Sequence, residues 1–119
     1  MRKLAILTFQ SVDGVMQAPT SPEEDISNGF TKGGWAQNCW NEVMEHVGRE
    51  AMCDPYDLLL GRKTWEAFAS YFPNMDKTDP VAQKLNNATK YVVASSKSKL
   101  EWENSIFING SIASEIAKL

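Results

Sequence analysis

The sequence predicts an α/β fold on a mainly parallel sheet, and three observations carry that expectation. Short, largely apolar runs recur at residues 4–9, 57–60 and 91–95, with another near 105–108, where a strand with one wet face would alternate apolar and polar positions. Segments of helical period separate these runs. Turn-forming residues close each one: Ser11-Val12-Asp13-Gly14, Gly61, Ser95-Ser96 and Asn109-Gly110. Strands that alternate with helices form βα units, whose ligands collect beyond the carboxyl ends of the strands.

The elements follow in order. Residues 4–9 read as a buried strand. The stretch 15–34 is long and irregular, with Pro19, Pro22, Gly29, Gly33, Gly34 and the acidic run Glu23-Glu24-Asp25. Loops of that length are functional lids or disordered segments, and Phe30 and Trp35 suggest that part of this one folds back. From about 36 to 52, Trp40, Val43, Met44, Val47 and Ala51 recur every three or four residues as one helical stripe, suited to packing across a sheet. Asp54-Pro55 ends that helix. A second strand covers 57–60, and a short helix runs over 63–72 to Pro73. Asp79-Pro80 opens a helix to about 87 in the order of cap and first-turn proline. Strands at 91–95 and near 105–108 follow, then a helix capped by Ser111 or Ser114.

With 119 residues, of which 43% are hydrophobic, the chain is expected to form a single domain over 1–119. A net charge of −3 gives no global field for nucleic acid or anionic lipid, so an anion site must be local. The apolar start ends at Phe9, too short for a signal segment or a membrane span, and the expectation is a cytoplasmic protein. Cys39 and Cys53 fall on one expected helix, roughly 21 Å apart at 1.5 Å per residue, so no disulfide joins them. One histidine and no close cysteine pair leave zinc without a ligand set.

The densest chemistry lies in Tyr56-Asp57-Leu58-Leu59-Leu60-Gly61-Arg62-Lys63-Thr64-Trp65-Glu66. An apolar strand breaks at a glycine into a basic, hydroxyl-bearing helix start. Gly61 allows close approach of a ligand to the backbone, the first N–H groups of the helix carry partial positive charge, and Arg62, Lys63 and Thr64 add donors. The other reading of the same spacing is an ordinary strand-to-helix turn with a solvated basic pair.

Three segments together resemble the dihydrofolate reductase-like superfamily, and more closely its branch related to the C-terminal reductase domain of bacterial riboflavin biosynthesis. They are Ser11-Val12-Asp13-Gly14-Val15, Leu58-Leu59-Leu60-Gly61-Arg62-Lys63-Thr64-Trp65-Glu66, and Lys90-Tyr91-Val92-Val93-Ala94-Ser95-Ser96, joined by Gly33-Gly34-Trp35. The resemblance implies a three-layer sheet of that family's type and an oxidoreductase that passes hydride from NADPH to a small heterocyclic substrate. It places the dinucleotide phosphates on Gly61, Arg62, Lys63 and Thr64, and the adenosine 2′-phosphate near Ser95, Ser96 and Lys97. An extra dianion calls for cations and hydroxyls, which sets NADPH apart from NADH.

Asp13 and Gly14 resemble the mobile loop beside the nicotinamide, or form a plain Asp-Gly turn. Glu42 and Glu45 lie on the helix that carries the proton-donating carboxylate in the folate enzymes; the alternative is an exposed face on which Glu45 pairs with Arg49. The resemblance also implies a homodimer. Family members continue beyond the helix at Ser111 into a strand with a glycine-rich turn and the closing strands, which this sequence does not show. The chain therefore reads either as a reductase or as a non-catalytic or truncated member, acting as a nucleotide-binding or assembly module.

Overall fold

The computed structural model describes residues 3–96, 99 and 101–119. They form two compact units, Met1–Cys53 and Asp54–Leu119.

In the N-terminal unit, α1 (Glu42–Ala51) is the principal element. Its stripe was expected to begin near residue 36, but the helix starts at Glu42. The Asn41 side chain, itself outside the helix, accepts hydrogen bonds from the backbone N–H groups of Val43 and Met44 and so fixes the start. The residues before it form a single 3-10 turn, Gln37–Cys39. Cys39 and Cys53 thus flank the helix; both are exposed and neither is in a disulfide.

The expected strand at 4–9 is not present. That segment has no regular secondary structure, and Leu4, Ile6 and Leu7 are more than two-thirds exposed. Apolar character nominates a strand, but a strand exists only through ladder bonds to a neighbour. Among the described residues the sheet draws all its strands from the C-terminal unit.

The long segment after Val15 is tied down by its own backbone. Gly34 N donates to Ala18 O at 2.8 Å and Ala36 N to Pro19 O at 3.0 Å. The Trp35 indole donates to Gln17 O at 3.0 Å, and the Gln17 amide reaches the carbonyls of Asp25 and Ser27. Ala18 and Ala36 are buried, so this connection is itself a core. Gly33 is required for it: a Cβ there would lie 2.7 Å from the carbonyl oxygens of Ser21 and Pro22.

The C-terminal unit is mixed α/β. In order it contains β1 (Leu58–Gly61), α2 (Arg62–Tyr71), a 3-10 turn over Phe72–Asn74, α3 (Pro80–Asn87), β2 (Lys90–Val93), β3 (Ser105–Ile108) and α4 (Ile112–Ile116). The sheet runs β1-β2-β3, every pairing parallel, with Leu60 opposite Val92 and Val92 opposite Phe107. This is the parallel topology that the apolar runs predict.

Asp79 caps α3 as expected, accepting from Ala82 N at 2.8 Å, with Pro80 in the first turn. α4 starts after Ser111, whose hydroxyl engages Ser114 Oγ at 3.0 Å rather than a backbone N–H.

Paired residues in a parallel ladder share a face, so Leu58, Leu60, Lys90, Val92, Ser105 and Phe107 line one side of the sheet. Trp65 of α2 fills it. The side chain is fully buried, donates its indole N–H to Ser105 Oγ at 2.9 Å and meets the Phe107 ring edge-on at 5.1 Å. A second aromatic group surrounds Trp102, which stacks on Phe72 and donates to Asn86 Oδ1 at 2.7 Å.

Lys90 is the one buried charged residue among those described. Its ammonium donates to the carbonyls of Asn86 at 2.6 Å and Glu103 at 2.9 Å, and sits 4.3 Å from the centre of the Trp102 ring. Asn86 belongs to the last turn of α3, so the cation also faces the negative end of that helix. Burial pushes the Lys90 pKa down to about 8, opposed by the nearby Glu103 carboxylate.

A base whose folded pKa lies below its unfolded value leaves the unfolded chain holding more protons between the two. This group's contribution to stability therefore rises with pH from about 8 towards its ordinary value of 10.5. Urea midpoints at several pH values, compared between the chain and Lys90→Met, check this: the difference should move in favour of the lysine form across that window. A constant difference would remove the effect.

No helix among the described residues is long and apolar enough to cross a membrane. Those residues also hold no group of three or more His, Cys, Asp and Glu side chains placed to share a metal ion.

Candidate functional site

Two loops predicted to hold an anion meet at the carboxyl end of the parallel sheet. β1 ends at Gly61 and β2 at Val93, and these two residues are register partners. Each strand therefore releases its following segment at the same level: α2 from β1, and Ala94-Ser95-Ser96 from β2.

The helix start is open. Gly61 is the N-cap of α2, which has no side-chain cap and no acidic residue in its first turn. The leading N–H groups of this ten-residue helix keep their partial positive charge. Gly61 sits at φ −73 and ψ 157, a conformation open to any residue, and a Cβ there would meet nothing within 4 Å. Backbone geometry does not require glycine here. What its missing side chain provides is open space directly above the helix start.

Arg62 joins the two loops. Its Nη1 donates to Ser96 Oγ at 2.8 Å across 34 positions of sequence, and its Nε donates to Glu66 Oε1 at 2.9 Å. A guanidinium has five N–H donors, so this fixes its orientation while leaving further donors for an incoming acceptor. Lys63, Thr64 and Ser95 are exposed beside it. Lys97 lies outside the described residues. The arrangement suits a phosphate group: oriented guanidinium, hydroxyls, an uncapped helix start and, among the described residues, no side chain over the glycine.

Glu66 was not singled out from the sequence. Its position four residues after Arg62 on one helix was the available signal, since i and i+4 side chains are neighbours. It holds the Arg62 fork at 2.9 Å in a pair that is about two-fifths exposed on the arginine side. Such a pair adds little stability and acts through positioning.

The residues proposed for the chemical step lie in the N-terminal unit. Asp13 and Gly14 form a tight turn: Gly14 N donates to Ser11 O at 3.0 Å, Ser11 N to Val15 O at 2.9 Å, and the Ser11 hydroxyl to Asp13 Oδ1 at 2.5 Å. Gly14 has φ +89, which explains glycine there. The Ser11 hydrogen bond holds the Asp13 carboxyl below the usual carboxylate range. Glu42 and Glu45 are exposed in the first turn of α1, with Glu45 3.5 Å from Arg49 and His46 3.9 Å from Glu50. The structure brings Gly61, Arg62, Lys63, Thr64, Ser95 and Ser96 to the same end of the sheet; Glu42 is exposed at the start of α1, and Glu45 is paired with Arg49.

No protein-family model matches the chain, and no curated protein is significantly similar to it.

Proposed function

We propose that the chain is an NADPH-dependent oxidoreductase of the dihydrofolate reductase-like type, which transfers hydride to a small heterocyclic substrate. The reading rests on the Arg62–Ser96 hydrogen bond, which joins the two segments that the resemblance assigns to the dinucleotide phosphates. Gly61, Lys63 and Thr64 hold the pyrophosphate side, while Arg62, bonded to Ser96, joins Ser95 and Ser96, with Lys97 by sequence, on the 2′-phosphate side. Bound NADPH supplies the hydride, and the chain's residues bind and orient it. The same reading expects a cytoplasmic homodimer.

Gly61→Ala separates a ligand role from a structural one. The added methyl enters open space at a compatible backbone conformation, and the unfolded-state gain of about 0.4–1 kcal/mol is offset by the poorer N-cap that alanine makes, so stability should change by less than about 1 kcal/mol. NADPH affinity should fall at least tenfold, because the methyl occupies the space above the helix start. Thermal unfolding and NADPH fluorescence titration measure the two. Unchanged affinity removes Gly61 from the site.

A second reading is a nucleotide-binding module without turnover. It is supported by the carboxylates: Glu45 is engaged with Arg49, and Asp13 is held in its ionised form, the reverse of what a proton donor needs. NADPH that binds but is not consumed with dihydrofolate, pterin or pyrimidine substrates supports this second reading.

A further inference from the structure

The chain contains two Asn-Gly pairs, Asn28-Gly29 and Asn109-Gly110, and both are exposed. Such a pair carries its own reactants. The side-chain amide carbon of the asparagine lies within a five-membered ring closure of the next backbone nitrogen, and glycine has no Cβ to shield that nitrogen. Reaction then depends on whether the local backbone can open to bring the two together.

The surroundings of the two pairs differ. At Asn28-Gly29 the turn is held from several sides: Phe30 N donates to Ser27 O at 3.3 Å, the Gln17 amide donates to Ser27 O at 3.1 Å, and Ser27 N donates to Asp25 Oδ1 at 3.0 Å. Asn28 is thereby kept at φ 57 and Gly29 at φ 72. Asn109-Gly110 follows the bond from Ala94 N to Ile108 O at 3.3 Å, and among the described residues no hydrogen bond reaches the Asn109 side chain or the Gly110 N–H. A Cβ on Gly110 would meet nothing within 4 Å, so the attacking nitrogen is uncovered.

We propose that Asn109 is a self-modification site. Gly110 N attacks Asn109 Cγ; the new C–N bond forms as the C–NH₂ bond breaks, the Gly110 amide proton passes to water, and the side-chain nitrogen leaves as ammonia with a proton from water. A second water adds to either carbonyl of the resulting succinimide and opens it to aspartate or isoaspartate. Nothing is oxidised or reduced.

Position gives the change a consequence. Ile108 is in register with Val93, and Val93 with Gly61, so Asn109 leaves the sheet at the level of Ala94 and Arg62. Adjacent strands lie about 4.8 Å apart, which puts its Cα roughly 10 Å from that of Arg62, about one Debye length at 0.1 M salt. The product carboxylate therefore opposes a phosphate bound at Arg62 and Ser96. That effect rests on the dinucleotide reading above, whereas the modification itself involves no cofactor.

The full chain is incubated in ¹⁸O-water at neutral and mildly alkaline pH, digested in ordinary water and fragmented in a mass spectrometer. Asn109 should take up ¹⁸O as a mixture of aspartate and isoaspartate, faster at the higher pH and with ammonia released in step. Its rate should exceed that of Asn28 roughly tenfold or more, since the Asn28 turn must open first. Asn109→Gln, which cannot close a five-membered ring, should release ammonia much more slowly. Asn109→Asp, one of the two products, should bind NADPH about two- to fourfold more weakly than the parent at low ionic strength, with the difference shrinking as salt rises. No label at Asn109, a rate equal to that of Asn28, or aspartate without isoaspartate overturns the modification. Equal NADPH affinity of the parent and Asn109→Asp overturns its consequence. A parent chain that takes up the label at Asn109 but does not bind NADPH upholds the modification and counts against the reductase reading alone.

Discussion

Trp65→Ala is expected to destabilise the C-terminal unit by about 3–5 kcal/mol. The side chain has no exposed surface, so its removal leaves a cavity between α2 and the sheet, and Ser105 and Phe107 lose their partner at once. A whole small domain has about 5–15 kcal/mol of stability, so the loss takes a large share. Urea unfolding followed by far-UV circular dichroism should show the transition moved to much lower denaturant or lost. Trp65→Phe should retain part of the stability, since it keeps ring contact and loses only the bond to Ser105. A Trp65→Ala chain that unfolds at the parent midpoint would contradict the packing described.

Gly33→Ala is the second large effect, and it acts on the N-terminal unit. The new methyl would sit 2.7 Å from two backbone carbonyl oxygens, so one strand of the connection has to move. Overpacking of this kind costs about 1–3 kcal/mol, and here it also pulls apart the bonds from Gly34 N to Ala18 O and from Ala36 N to Pro19 O. Faster hydrogen exchange at the Gly34 and Ala36 amides should accompany a lower melting temperature. Gly48→Ala is the matched control. Gly48 lies within α1 with nothing within 4 Å of its added Cβ, and the change should stabilise by about 0.5–1 kcal/mol. Equal behaviour of the two variants would show that the connection is not held as described.

The parallel sheet was legible because strand and helix periods differ and because punctuation is local. Asp79-Pro80 marks a helix start chemically, and residues 105–108 stand out by their apolar run alone. The segment 4–9 has the same apolar signature without the same outcome, since composition does not say whether a neighbour lies within ladder distance. The start of α1 was misread for a related reason: Trp40 fits the helical stripe, yet the Asn41 cap decides the boundary.

At the candidate site, the helix start at Gly61 was readable from residue types, and so was the Ser95-Ser96 loop. Their direct contact was not, because a hydrogen bond across 34 residues depends on strand register. The order within residues 15–36 was hidden as well. Proline, glycine and acidic residues announce a loop, but not the backbone hydrogen bonds that close it.

The measurement that tests the central claim most directly is the affinity of the full chain for NADPH and for NADH at one ionic strength, with and without Arg62→Ala. An oriented guanidinium and a hydroxyl meeting the extra phosphate correspond to roughly 1.5–3 kcal/mol, or about ten- to a hundredfold. NADPH should bind that much more tightly than NADH to the parent chain, and Arg62→Ala should remove most of the preference while leaving the urea midpoint nearly unchanged. Equal affinity for the two dinucleotides in the parent, or a preference that survives Arg62→Ala, would contradict the assignment of the Arg62–Ser96 site to the 2′-phosphate.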